Sequence, residues 1–410
     1  MTTQQVASSQ GRTNLALAAL FMGTFALGCA ELLVVGVLNL IADDLNISIP
    51  TAGWLVTAYA LGMAVGGPIL TALTIRLNRK TILVATIALY ALASLTPVLV
   101  HNYGLFIAAR AVTGSLQGLF IGVAFVLGMS IVPPDRAGRA ISAIVSGVAV
   151  SATLGVPLGT LIGQGLGWQG SFIAIVGFAG IALIATLALV PPVASPDTGA
   201  AGQVRHAFAP RVLALLGLTF VVFTALYTPL TYIVPFLQDV TGITGTLISL
   251  FLFTYGLATA VGSFSGGRFA DQNAGRTLIV GTTGTAVALL ALYLVGASPA
   301  LVALVMLAWG LFGSAMVPSL QLRVVTLAGP GGQLASSLPA SAANVGIALG
   351  PVLGGVAISS FSPSAPVITG LIVAVIGIAF AWITSFLKPS VAEPAAIEPA
   401  APSDPTAEAA

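Results

Sequence analysis

The chain has 410 residues; 57% are hydrophobic, only 6% are charged, and the mean hydropathy is +1.08. Soluble proteins carry roughly 25% charged residues, so a soluble enzyme is excluded, and the high hydrophobicity excludes a disordered chain. What remains is an all-α polytopic membrane protein, in which each crossing needs about 20 apolar residues. The single cysteine, Cys29, excludes a disulfide framework, and two distant histidines, His101 and His206, leave no zinc site. Neither lysine, Lys80 or Lys388, stands in a Gly-x-x-x-x-Gly-Lys-Ser/Thr loop, so the phosphate cradle of an ATP-driven pump is missing from this chain.

The first apolar run, residues 15–38, is too long for a signal-peptide core and has no small-residue cleavage site after it, so it reads as a retained helix. Eleven more runs follow at 51–74, 81–100, 103–132, 140–164, 171–192, 212–236, 245–266, 277–297, 299–322, 336–360 and 365–387. The abundant glycine suits helices packed closely in lipid. The longest polar interruption, 194–210, divides the spans six and six. The expected organisation is an N-terminal segment 1–14, a six-helix bundle 15–193, a linker 194–210, a second bundle 211–387 and a disordered Pro/Ala/Glu tail 388–410.

Charge sets the expected orientation. Arg12, Arg76, Arg79, Lys80, Arg136, Arg139, Arg205, Arg211, Arg268, Arg276, Arg323 and Lys388 fall at one face, and the opposite loops hold no Lys or Arg. The positive-inside rule puts that face and both termini in the cytoplasm, with the chain in the cytoplasmic (inner) membrane. The net charge of +2 comes from this asymmetry, and no nucleic-acid patch is present.

The two halves resemble each other. The stretch 57–66 (TAYALGMAVG) matches 253–262 (FTYGLATAVG) at an offset of 196, and 155–159 (GVPLG) matches 350–354 (GPVLG) at 195. A six-plus-six repeat is the layout of secondary transporters whose substrate site lies at the midplane between the bundles.

Several stretches carry a family resemblance. Residues 67–80 (GPILTALTIRLNRK) resemble the major facilitator loop Gly-x-Leu-Ala-Asp-Arg-x-Gly-Arg-Lys, with Arg76, Arg79 and Lys80 in its basic positions; residues 267–276 (GRFADQNAGR) repeat it with Asp271 and Arg276. Residues 110–118 (RAVTGSLQG) are similar to the buried-arginine motif of span 4. Gly147 through Gly155, Pro157 and Gly159 are similar to the glycine–proline motif of antiporters. Glu31, the 232–242 stretch and 344–350 most resemble the twelve-helix drug:proton antiporters of the chloramphenicol-resistance and sugar-efflux branch. Two departures stand out: Ile75 replaces the usual aspartate of the first loop, and Val156 separates the glycine and proline of span 5.

Glu31 is the only acid inside a span, and a lone carboxylate in lipid is either neutral or paired. Arg110 is the only basic residue well inside one. Each lies about seven residues from the end of its span, so both sit roughly 10 Å below the same face. Two roles fit Arg110: partner of a titrating Glu31, or clamp on backbone carbonyls. Asn39, Gln117, Tyr232 and Asn344 are candidates for the central cavity, while Tyr59, Tyr227 and Gln321 are further scattered polar groups. Gly147, Gly155, Pro157 and Gly159 in span 5, and Gly350 and Pro351 in span 11, are expected to pack tightly and bend those helices. Arg76, Arg79, Lys80, Asp271 and Arg276 are expected to latch helix ends.

The resemblance implies a monomeric exporter that exchanges a small organic molecule, of the drug or antibiotic type, for protons by alternating access. It uses no cofactor beyond the proton. A sugar or nucleoside exporter is the alternative within transporters. A channel would need a pore lined by charges or carbonyls, and a membrane enzyme would need a nucleophile–base pair or metal ligands, neither of which the spans supply.

Overall fold

A computed structural model describes residues 3–74, 77–133, 137–192, 208–329, 335 and 338–388. Arg76, Arg136, Arg205, His206, most of the linker and the tail beyond Lys388 lie outside the described residues. The described chain is helical. Span 1 is Thr3–Gly36 continued by Leu38–Asp44; span 2 is Ile49–Leu61, a π-helical turn Gly62–Gly66, and Gly67–Thr74; span 3 is Arg79–Leu99; span 4 is Tyr103–Ser130. Span 5 is Ala137–Val150, a second π-helical turn Ser151–Gly155, and Val156–Leu166; span 6 is Trp168–Leu189. In the second half, span 7 is Pro210–Thr231 with Ile233–Asp239, span 10 is Pro299–Ala315 with Val317–Ala328, span 11 is Leu338–Ser360 and span 12 is Ala365–Ser385.

Among the described residues, eleven helices are long and apolar enough to cross a membrane. One of them, Thr246–Leu294, has 49 residues and bends at Asn273 (φ −161°, ψ 89°), so it contains two crossings, spans 8 and 9. Twelve such crossings among the described residues put the start of span 1 and the end of span 12 at one face, here called the termini face; the other is the distal face. Large apolar side chains such as Leu73, Ile184, Phe264 and Trp382 point outward. That is the pattern of a chain whose solvent is hydrocarbon, where helices satisfy their own backbone groups.

Short polar caps set the helix starts. Ser48 accepts from Thr51 N (3.2 Å) with Pro50 in the first turn, Asn78 from Lys80 N (3.0 Å) and Asn102 from Leu105 N (3.0 Å). At the bend between spans 8 and 9, Asn273 does the same for Arg276 N (2.9 Å). Each is a side-chain oxygen filling an orphan N–H at a helix N-terminus.

The repeat read in the sequence is present in the packing. Span 1 breaks at Val37 (φ −120°, ψ 16°) and span 7 at Tyr232 (φ −109°, ψ 21°), 195 residues later, and each break is followed by a seven-residue helix ending in aspartate. Gly114 lies against the Tyr59 carbonyl as Gly310 lies against that of Tyr255, and Gly66 against Ser115 as Gly262 against Leu311. A Cβ at any of these glycines would overlap its neighbour. Close approach of helix backbones is what small residues provide in lipid.

The halves meet where span 2 packs on span 11 and span 5 on span 8. Hydrogen bonds that join them are Thr57 Oγ1 to Ala348 O (2.8 Å), Thr153 Oγ1 to Gly256 O (3.3 Å), Gln164 Nε2 to Gly245 O (3.0 Å) and Asn39 Nδ2 to Gln238 Oε1. By position along their spans, these bonds run from the middle of the molecule to its distal face.

Candidate functional site

Glu31 sits near the end of the long helix of span 1, part-exposed. Its Oε2 accepts a hydrogen bond from Gln117 Nε2 of span 4 (2.9 Å), and its Oε1 is bonded to no described residue. The orientation of the Gln117 amide is set from behind: Tyr59 Oη, on span 2, donates to Gln117 Oε1, which leaves the NH2 group facing the carboxylate. Tyr90 of span 3 donates to Leu27 O (2.8 Å) and lies 3.4 Å from the Tyr59 hydroxyl. Tyr59, Tyr90 and Gln117 are all buried. Four helices therefore converge on one carboxylate.

Arg110 is buried beneath this cluster and does not pair with Glu31. Its Nε donates to Leu55 O (3.1 Å), Nη1 to Ala30 O (2.7 Å) and Nη2 to the backbone oxygen of Glu31 (3.2 Å). Its guanidinium also lies 4.0 Å from the centre of the Tyr59 ring. Of the two roles the sequence left open, the geometry is that of the backbone clamp. Arg110 ties spans 1, 2 and 4 together and supports the tyrosine that orients Gln117.

Of the four cavity candidates, only Gln117 touches Glu31. Asn39 bonds Gln238 across the halves near the distal face. Tyr232 is 1% exposed and donates to Pro351 O (2.7 Å), so it is packed into the seam between spans and lines no open space in this conformation. Asn344 turns its amide back to Ala340 O of its own helix (2.9 Å), with Oδ1 buried and unpartnered. Tyr90 was missed by the sequence reading; a buried tyrosine in a span needs a partner for its hydroxyl, and that was the available signal.

The motif residues have mechanical roles. Gly147, Gly155 and Gly159 all face span 1, where a Cβ would meet Phe21 O (2.6 Å), Cys29 Sγ (2.8 Å) and Leu33 respectively. Pro157 follows the π-helical turn of span 5 and stands in the first turn of the next helical segment, where a missing N–H is best tolerated. Gly350 and Gly354 press span 11 onto span 7 in the same way, against Tyr227 and Thr228, with Pro351 buried between them.

Basic residues bind helix C-termini at the termini face. Arg79 Nη1 reaches Val126 O (3.5 Å), Lys80 Nζ Leu187 O (2.8 Å), Arg211 Nε Leu327 O (2.6 Å) and Arg323 Nη2 Thr384 O (2.5 Å). Cations there complement the negative end of the helix dipole. Asp271 and Arg276 are exposed and make no ion pair among the described residues, which differs from the expected latch.

The matches to known proteins fit this architecture. The family model described as Major Facilitator Superfamily matches residues 20–331 and, in a second alignment, 215–407. The chain belongs to the Major Facilitator Superfamily. It is 35% identical over 356 residues to YtbD of Bacillus subtilis (strain 168), an uncharacterized transporter of this type; 85% of this chain and 90% of YtbD are covered. It is 31% identical over 387 residues to YdhP of Escherichia coli (strain K12), an inner membrane transport protein; 92% of this chain and 98% of YdhP are covered. Among solved structures, a bacterial homolog of the human lysosomal transporter Spinster, inward-facing and unoccupied, matches with a TM-score of 0.75 at 16% identity, covering 91% of this chain and 97% of that one. The human organic anion transporter MFSD10 matches with a TM-score of 0.65 at 15% identity, covering 90% and 99%. At such identities the likeness is one of fold. This member of the superfamily is a polytopic membrane transporter and not an enzyme.

Proposed function

We propose that the protein exports small organic molecules, of the drug or antibiotic type, in exchange for protons, by alternating access of the two six-helix halves to a site beside Glu31. The termini face is cytoplasmic in this reading, because the basic residues gather there. Contact between the halves from the middle to the distal face then corresponds to an inward-facing state, the state named for the Spinster homolog.

The observation that carries the proposal is the Glu31 carboxylate. It is the only acid well inside a span, it is held by one amide, and its remaining oxygen is free of described partners. Arg110 spends its donors on backbone carbonyls and makes no hydrogen bond to the carboxylate, so the acid keeps an oxygen open to a proton. Such a group can change its protonation with the conformational state. An exchanger needs that difference, since a ligand bound equally in both states shifts no equilibrium.

The test uses proteoliposomes with an imposed proton gradient and a panel of antibiotics, sugars and nucleosides. The wild type should accumulate a member of the panel against its gradient and stop when the proton gradient is collapsed. Glu31→Gln should abolish that accumulation and retain substrate-for-substrate exchange. Gradient-driven accumulation by Glu31→Gln at the wild-type rate would remove Glu31 as the coupling group.

A further inference from the structure

We propose that Gly53 and the hydroxyl of Tyr232 form a keyed lock that holds the distal faces of the two halves closed; the proposal rests on the alternating-access reading above. Tyr232 stands at the break in span 7, where its backbone leaves the helical region and turns the ring across the seam. Its hydroxyl donates to Pro351 O of span 11 (2.7 Å), which fixes its direction within the second half. So fixed, the hydroxyl projects to span 2 of the first half. A Cβ at Gly53 would fall on that oxygen and lie 3.0 Å from the ring carbon that bears it. Gly53 is therefore the notch that receives a polar tip presented by the opposite half. Gly355 completes the notch, since a Cβ there would meet the same hydroxyl at 2.8 Å and Pro50 Cβ at 3.4 Å. One turn along span 2, Thr57 Oγ1 donates to Ala348 O of span 11 (2.8 Å), so the seam is tied directly beside the notch.

The repeat supplies an independent argument. The counterpart of Tyr232 in the first half is Val37, and the counterpart of Gly53 in the second is Ser249. The pseudo-symmetric arrangement thus has an aliphatic side chain in place of the tyrosine and a buried serine in place of the notch. The backbone break was kept in both halves, while the key and its slot occur in only one. Packing alone requires no hydroxyl at 232. A tyrosine aimed at a residue with no side chain makes the closed arrangement depend on one small gap, and the gap exists only while the distal faces are together. Tyr232 and Gly53 are in this view positioning residues of the transport cycle, and they act on the conformational equilibrium without touching the substrate.

The test measures the distance between the halves at the distal face. Spin labels at His101→Cys and Ala300→Cys, with Cys29 replaced by alanine, are read in the full chain in lipid nanodiscs across pH and with transported compounds. A Cβ overpacks the notch, so Gly53→Ala should raise the long-distance population about tenfold over the wild type. Tyr232→Phe removes the oxygen and keeps the ring, so Gly53→Ala/Tyr232→Phe should return the population toward the wild-type value. Gly355→Ala should shift it in the same direction by less. A Gly53→Ala distribution equal to wild type, or one that Tyr232→Phe does not reverse, overturns the lock. If Gly53→Ala fails to accumulate in the membrane, its recovery by Tyr232→Phe supports the lock, and continued absence of the double variant overturns it. A wild type with one invariant distance under every condition would overturn alternating access itself, a separate outcome.

Discussion

The two halves share a skeleton and differ in what fills its centre. At equivalent positions, Tyr59 and Tyr255 present their carbonyls to Gly114 and Gly310. Around Tyr59 the first half places Arg110, Gln117, Tyr90 and Glu31. Around Tyr255 the second half places Trp309, with ring centres 4.8 Å apart, and the position matching Arg110 is the buried Met306. One half has become a polar cluster and the other an aromatic wall. The backbone approach of spans 2 and 4, or 8 and 10, tolerates either filling because it depends on glycine and not on what fills the centre. Packing fixed the shared part, and the chemistry was free to diverge in one half.

The largest effect expected from breaking this contrast is at Arg110. Arg110→Lys keeps the charge, but a single ammonium cannot serve three carbonyls on two helices. We expect a loss of about 2–3 kcal/mol in stability and at least a tenfold fall in transport, read by thermal unfolding in detergent and by proteoliposome uptake. Met306→Leu, its counterpart, should cost less than about 1.5 kcal/mol. Equal losses at the two positions would sink the distinction between the halves.

Next come the shared glycines. Gly114→Ala and Gly310→Ala should both destabilise, within the about 1–3 kcal/mol typical of overpacking. Gly114 should be the worse, since its neighbour is tighter than the 2.7 Å that separates a Cβ at Gly310 from Tyr255 O. Melting curves that show one half indifferent to the added methyl would argue against a common skeleton.

Tyr59→Phe sharpens the polar side. It leaves Gln117 Oε1 without its donor, an unpaired buried acceptor worth about 1–3 kcal/mol, and frees the amide to rotate away from Glu31. Proton-driven uptake should fall more than substrate exchange does. Tyr255→Phe should leave the ratio of the two rates unchanged. If Tyr59→Phe lowers both rates in proportion, its hydroxyl supports the fold and not the orientation of Gln117.

The smallest effects concern the helix ends. The carbonyl at the end of span 6, Leu187 O, is bound by Lys80 from span 3, whereas the matching end of span 12 is bound by Arg323 from span 10. The residue matching Arg79 is Gly275, and a Cβ there would lie 3.1 Å from Arg323 Nη1. The second half keeps a cation at the position matching Lys80, the exposed Arg276, but binds this helix end from Arg323, beside which Gly275 leaves space. Arg323→Ala should lower the melting temperature by a few degrees, and Lys80→Ala, more exposed, by less. A reversed order would show that the exposed contact is the stronger one.

The sequence alone determined what depends on composition and period. Crossing number, halves and repeat follow from where twenty apolar residues in a row occur, because lipid leaves a backbone no other way through. Glu31 and Arg110 were legible for the same reason: a charge in a span is costly and therefore stands out. Equal depth left their relation open, since depth says nothing about which way a side chain turns. Tertiary structure decided that. Span 2 lies close enough to spans 1 and 4 for Arg110 to spend its fork on their carbonyls, and Tyr59 arrives between it and Gln117. Asn39 and Tyr232 looked like cavity residues because polar groups on apolar helices have two destinations, a water-filled space or a seam between helices. Which one they take depends on the angle between two six-helix bodies, and no local pattern in either body encodes that angle.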